Sequence, residues 1–435
     1  SEKKILLLSL SYLMENFNIL PVILTDNIDP LPARISNWFM WELHGIASKY
    51  NIKAVIPFRP HTYWNLMKEP NGMIQAVNPA VIRLDQPSPS IYIKAKKQLI
   101  NSEVKSRSSI SIQSLTLKSE NISEIYDAMI GIMLQPNIEM FILAITNGDL
   151  RKYQRLLRRY FQTGYLQAHS IFYKIIGKTQ FLEGYNNNPP EWLVYASLIT
   201  SNYYTFFTSK KTSLEQDIII NVLCNGSSKL NKYLIRLHIL NFYKRNSRTK
   251  PEYLIEKYFS ILPKKYQEGL KDSLCYAIRR LFNAGLIKNE EFYSLKKDDE
   301  ACKLGELELT QSGRFYLDSL IQNFDYLVYM KDDIDYPEDF KIKDNIEVKH
   351  LRGRYSETYH YLKFLFEQEY QFVTKLKNRQ KKEYLEYFAP TETQLFFSYS
   401  IVNAFYNFGE KKPVDNLDLV RDLKNQIVNT NNTII

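Results

Sequence analysis

The chain is most constrained by a short apolar run, Ile19-Leu20-Pro21-Val22-Ile23-Leu24, that stops abruptly at Asp26, Asn27 and Asp29 and is closed by Pro30 and Pro32. Five of its six residues are apolar and not proline, and Val22 and Ile23 are β-branched. A continuous run of this length reads as a strand buried on both faces, the pattern of a parallel sheet. A carboxylate at the C-terminal end of a parallel strand sits where open α/β sheets place their ligands. Its oxygens suit a hard cation such as magnesium. An ordinary Asp-Asn turn closing a buried strand is the competing reading.

A second run, Ile52-Lys53-Ala54-Val55-Ile56-Pro57-Phe58, also ends in a polar residue, Arg59. Between the two runs, Ile35, Trp38, Phe39, Leu43 and Ile46 recur at helical spacing. Strand, helix and strand in about forty residues is a βαβ crossover by length. It brings Asp26 and Arg59 to the same edge of neighbouring strands. A carboxylate for a metal beside a guanidinium for a terminal phosphate is the chemistry of nucleotide hydrolysis.

The rest of the chain reads as mainly helical, in keeping with only 14 glycines in 435 residues. Residues 2–16 predict a helix with Ile5, Leu6, Leu8, Tyr12 and Leu13 on its buried side. Ala80-Val81-Ile82-Arg83-Leu84 predicts a third strand, residues 90–101 a helix, and the Ser/Lys-rich residues 102–118 a linker or mobile loop. Helices follow through 121–145 and 151–161. The second of these carries Arg151, Lys152, Arg155, Arg158 and Arg159. Residues 231–325 predict three helices, with Gly285 as the C-terminal cap of the third. A small hairpin then pairs residues 292–295 with 304–309. Residues 355–387 predict a long amphipathic helix or helical hairpin, and two further helices at 391–407 and 415–428 precede a fraying polar tail. Asp332, Asp333, Asp335, Glu338 and Asp339 form an acidic loop without calcium-loop spacing.

In this order the parts resemble the second half of an AAA+ or STAND-type P-loop ATPase. The apolar-apolar-Thr25-Asp26-Asn27-x-Asp29 pattern is similar to that family's Walker B strand, and Phe58-Arg59-Pro60 to its sensor-1 strand. Gly148-Asp149-Leu150-Arg151 is similar to its sensor-2 signature in the helical lid. The three helices and hairpin, ending in Leu309-Thr310-Gln311-Ser312-Gly313, resemble a winged helix. The resemblance implies a P-loop core remnant at 1–101, a linker at 102–118, a helical lid region at 119–230, a winged-helix-like domain at 231–325 and a C-terminal helical region at 326–435. The fold class is then an α/β P-loop NTPase remnant followed by mainly α domains. It further implies ATP with Mg2+, with Asp26 as metal-binding acid, Asn27 and Arg59 beside it in the catalytic set, and Arg151 on the nucleotide. In a winged helix that meets DNA, Lys264, Lys265, Arg279 and Arg280 carry the contact.

The Walker A pattern, Gly-x-x-x-x-Gly-Lys-Ser/Thr, is absent. The chain's Gly177-Lys178-Thr179 follows Phe172, where the pattern needs glycine. Two accounts stay open: the sequence is cut from a longer protein, or the ATPase is degenerate. The expected function is a regulatory ATPase subunit or fragment whose nucleotide state controls assembly or an effector, as in bacterial anti-phage defence. A homo-oligomer or effector protein is the expected partner. The alternative is a non-catalytic DNA-binding or scaffold protein. Cys224, Cys275 and Cys302 are widely spaced and odd in number, which argues against a disulfide framework and points to a reducing cytoplasm. No run of eighteen apolar residues suggests a membrane span. The net charge of +10 is compatible with nucleic acid. No His-Glu-x-x-His or nucleophile-elbow pattern is present, and His238, among Leu237, Ile239 and Leu240, reads as a core histidine.

Overall fold

The computed structural model describes residues 2–17, 20–26, 28, 31–58, 60–69, 72–77, 79–82, 88–105, 109–112, 115–118, 133–162, 197–198, 220–223, 234–264, 267, 269–289, 295–330, 351–412, 414 and 416–435. The fold is mainly α with three small two-stranded sheets among these residues. The chain divides into two units, residues 1–84 with 289–293, and residues 85–288 with 294–435.

The first unit contains α1 (Glu2–Phe17), β1 (Val22–Leu24), α2 (Ala33–Lys49), β2 (Lys53–Val55), α3 (Pro60–Lys68) and α4 (Met73–Val77). β1 and β2 pair in parallel, Val22 with Lys53 and Leu24 with Val55, so the predicted crossover is present with α2 as its helix. Two sequence expectations need correction. Leu24 is 72% and Val22 56% exposed, so the strand is not buried on both faces. Ile5, Leu8, Tyr12 and Leu13 of α1 are exposed too, rather than forming a buried side. The buried cluster of this unit is small, Met40, Leu66, Met73 and Ile74, and lies between α2 and the two short helices. Residues 80–82 form no strand, and Val81 and Ile82 are exposed. Arg83 and Leu84 of that expected strand lie outside the described residues.

The second unit opens with α5 (Pro89–Lys105) and an antiparallel hairpin, β3 (Ser109–Ile112) and β4 (Leu115–Lys118). The described residues of the expected linker at 102–118 are therefore helix and hairpin. Its alternation of Ser109, Ile110, Ser111, Ile112 is a strand pattern that serine content hides. Next come α6 (Pro136–Thr146) and α7 (Leu150–Gln162). Asn147 and Gly148 between them take left-handed backbone, with φ of 49° and 72°. Asp149 Oδ1 then accepts the backbone N–H groups of Arg151 at 2.8 Å and Lys152 at 3.2 Å, the N-terminal cap expected from the sequence. Much of the expected helical lid region at 119–230 and all of the acidic loop at 332–339 lie outside the described residues.

At the centre lies α8 (Ile235–Arg245), with every residue from Ile235 to Tyr243 buried. A helix buried on all sides must be surrounded, and α8 is packed by elements on several sides. These are α9 (Pro251–Ile261), α10 (Leu270–Asn283), β6 (Glu308–Leu309) and α12 (Gln311–Asp318), with β5 (Ile287–Lys288) and α11 (Asp298–Ala301) lying between α10 and β6 in sequence. β5 and β6 pair antiparallel, and Thr249 bridges to Leu307 beside them. In the described ladder Glu308 and Leu309 pair with Ile287–Lys288, and residues 292–294 of the expected first arm lie outside the described residues. Gly285, at φ 78°, ends α10 with Leu286 N–H on the Leu281 carbonyl, so its predicted capping role is met. Thr310 Oγ1 caps α12 through Gly313 N–H at 3.0 Å and donates to the Gly285 carbonyl at 2.7 Å. A Cβ on Gly313 would sit 2.2 Å from the Leu286 carbonyl oxygen, which is why glycine stands there.

The C-terminal part adds α13 (Phe324–Met330), α14 (Leu351–Thr374), α15 (Asn378–Tyr387), α16 (Phe397–Glu410) and α17 (Leu417–Ile434). All share one continuous core with α8. The tail does not fray as expected. Buried Asn431 accepts Leu395 N–H at 2.9 Å and donates to the Thr393 carbonyl at 3.0 Å, which ties down the last turns of α17. The cysteine expectation also fails: Cys275 on α10 and Cys302 after α11 are joined as a disulfide, with Cα atoms 5.4 Å apart.

Candidate functional site

Each candidate residue is placed by its local backbone. Asp26 follows β1 by two residues and is exposed. Thr25 between them donates its N–H to the Val55 carbonyl at 3.1 Å, so the ladder holds the chain up to the acid. Asn27 and Arg59 lie outside the described residues. Asp26 offers one carboxylate at the exit of a parallel strand. A magnesium nucleotide is held by one or two carboxylates together with its own phosphates, so this acid fits the metal arm of such a site. The phosphate arm has no matching glycine-rich pattern in this sequence. Among the described residues no group of three or more His, Cys, Asp or Glu is gathered for a metal.

Arg151 belongs to the other unit, in the first turn of α7, and is exposed. The Asp149 cap fixes its backbone. Lys152 next to it behaves in the opposite way. Although it sits in a run of surface cations, it is 8% exposed and its Nζ donates to the Ala284 carbonyl at 2.8 Å, at the end of α10. Burial pushes its ammonium below the ordinary lysine range, with Asp149 opposing that shift and Arg155 adding to it.

The residues proposed for DNA contact divide similarly. Lys264 is exposed, and Lys265 lies outside the described residues. Arg279 gives its Nε to Asp298 at 2.5 Å and Nη1 to the Lys296 carbonyl at 3.0 Å, so its guanidinium is spent holding α11 onto α10. Arg280 is half-buried. Eight of the fourteen residues of α10 are buried, which leaves that helix little outward surface.

Sequence reasoning missed a buried polar network around α8. His238 Nε2 meets the Tyr384 hydroxyl at 3.0 Å, and its Nδ1 meets the Tyr258 hydroxyl at 2.8 Å. Tyr384 donates to the Leu395 carbonyl at 3.3 Å. That direction puts the ring proton on Nε2 and makes Nδ1 the acceptor. Complete burial holds the imidazole neutral, with its pKa lowered to about 3. Next to this network, fully buried Glu369 of α14 accepts Phe397 N–H at 2.6 Å, Ser398 N–H at 2.9 Å and Ser398 Oγ at 2.7 Å. It thereby caps α16 from another helix. Burial raises its pKa to about 7 against the lowering effect of those hydrogen bonds. One sequence pattern pointed to it: Glu369 occupies an inward position in the helical series Leu362, Leu365, Phe366, Phe372, Val373 and Leu376.

A polar groove of about 780 Å3 is lined by Arg245, Tyr253, Tyr387 and Glu392, among others. Arg245 is committed within it, donating to the carbonyls of Leu385, Glu386 and Ala389 at the end of α15. Lys257 lies over both rings, 5.2 Å from Tyr253 and 4.7 Å from Tyr387. Among the described residues no helix is long and apolar enough to cross a membrane. Compared with known proteins, the chain matches no family model, no curated protein and no solved structure.

Proposed function

We propose that this chain is a regulatory AAA+ or STAND-like ATPase subunit or fragment, in which nucleotide state controls assembly or an effector protein. The observation that carries the reading is the parallel β1–β2 pair joined through α2, with Asp26 at its C-terminal edge. Two further features support it. The capped first turn of α7 presents Arg151 as a lid arginine would be presented. Three helices, a bridge at Thr249 and the β5–β6 ladder follow in the order of a winged helix, here serving as a packing module. In this reading the nucleotide would be ATP and the metal Mg2+. Asp26 holds the metal through its carboxylate, and Arg151 forks onto a phosphate while staying charged at any working pH. A role in defence against phage, with a homo-oligomer as the active form, belongs to the same reading.

The test is Asp26→Ala in the full-length protein. ATP hydrolysis should be abolished with the circular-dichroism spectrum unchanged, whereas unaltered turnover overturns the assignment. Arg151→Lys keeps the charge but loses the fork, so ATP-dependent assembly should weaken. The control is Arg158→Lys on the same exposed face, because Lys152 is buried against Ala284 and its loss would disturb the fold.

A further inference from the structure

We propose that the outward face of α7 is a docking surface for the phosphate backbone of duplex nucleic acid, distinct from the surface of α10. The helix Leu150–Gln162 carries five cations and no acid. One of them, Lys152, is turned inward to the end of α10. Arg151, Arg155 and Arg158 are exposed and fall at i, i+4 and i+7, in a row along one face. Among the described residues no carboxylate is paired with any of these three guanidinium groups. The two acids that precede this helix most closely in sequence have other work. Asp149 caps the helix backbone, and Glu139 of α6 accepts Ser90 N–H at 3.1 Å.

The fold does not need this row. Packing of α7 is supplied from its other face by Tyr153, Leu156 and Tyr160, all buried. Like charges at i, i+3 and i, i+4 repel, and a cation in the first turn opposes the helix dipole. The arrangement therefore carries an electrostatic cost that a bound polyanion removes. The same burial excludes a lipid surface as occupant, because the apolar side of the helix is already in the core. The row spans about 10 Å along the helix axis, the axial rise of about three phosphates of one duplex strand. Guanidinium groups match phosphate oxygens in a two-pronged geometry. The chain's net charge of +10 adds long-range attraction.

The experiment is fluorescence anisotropy of the full chain with a labelled duplex of about 20 base pairs at low salt, repeated across a salt series. The expected result is binding whose logarithm falls linearly with log salt. Arg155→Glu with Arg158→Glu should weaken it at least tenfold and flatten the slope by about two. Arg151 is left in place, so failure of the nucleotide reading and failure of this one are distinguishable. Arg155→Gln with Arg158→Gln should lose affinity without a fall in melting temperature, which separates a lost site from a lost fold. Lys264→Glu should leave binding as it is. The proposal is overturned by undetectable binding at low salt, by unchanged affinity in the double variant, or by loss of binding in Lys264→Glu. It is equally overturned by tighter binding to the single strand, or by polyglutamate competing as well as DNA per charge, which would make the row a site for an acidic protein.

Discussion

Glu369 gathers the opposing forces on a buried carboxyl into one side chain. Two backbone N–H groups and a hydroxyl favour its charge, complete burial opposes it, and burial wins, with the pKa near 7. The folded-state value lies above the ordinary 4.5, so the protonated form is the stable one in the fold. Its contribution is present in full below pH 4.5 and is lost as the pH rises through about 7, a change of roughly 3 kcal/mol. Glu369→Gln keeps a carbonyl acceptor for α16 and removes the titration. Urea midpoints measured from pH 4 to pH 8 should fall for the parent relative to this variant, with the difference opening between about 4.5 and 7. Parallel curves would refute the assignment. At this scale the sequence was readable where the interaction is local. Asp149 caps the helix one residue ahead of it, and Gly285 closes the helix just behind it, because each partner lies within four residues. The partners of Glu369, Asn431 and Lys152 were not readable, since they lie 28, 36 and 132 residues away.

Among the elements, the disulfide has the clearest consequence. Cys275 and Cys302 close a loop with a sequence separation of 27, which runs through the α10 turn and the β5 strand to α11. Closing a loop of that length removes unfolded-chain entropy worth roughly 3 kcal/mol at 25 °C. Cys302→Ser, or reduction of the parent, should lower stability by about that amount in urea unfolding. Mass spectrometry after alkylation should find neither cysteine modified until a reductant is added. Alkylation of both without reductant would exclude the bond. Counting cysteines could not find this pair, because an odd total says nothing about which two meet. The helix pattern was legible over most of the described residues of the second unit, where long apolar stripes leave one solution. The strands were harder. β5 and β6 are two residues each, and their pairing is set by Gly285 and Thr310 rather than by any periodicity of their own.

At the scale of the whole molecule the two units differ sharply in core. One surrounds a fully buried helix, and the other buries four residues in its cluster while Phe17, Leu24 and Trp38 stand in solvent. A two-stranded parallel sheet with open faces is weak by itself. In hydrogen exchange on this chain, amides of Val22–Leu24 should therefore exchange orders of magnitude faster than those of Leu237–Tyr243. Equal protection would mean that the first unit draws stability from something other than its own core. The parallel crossover itself was legible, since two apolar runs flanking a helical stretch admit little else. Its exposure was not, because burial depends on what covers a strand and not on the strand's own residues.

The inward-turned lysine of α7 also has a mechanical meaning. Lys152 fastens the first turn of α7 to the Ala284 carbonyl, and Thr310 fastens the next two carbonyls, of Gly285 and Leu286, to the head of α12. Ser312 then returns from α12 to the Ile145 carbonyl of α6 at 3.4 Å, and a three-residue turn leads from α6 back into α7. The fastenings form a closed frame, so α7 cannot roll about its axis without straining four elements at once. A load applied to its outer face is borne by the frame and carried to the turn that starts β5, rather than dissipated in the helix.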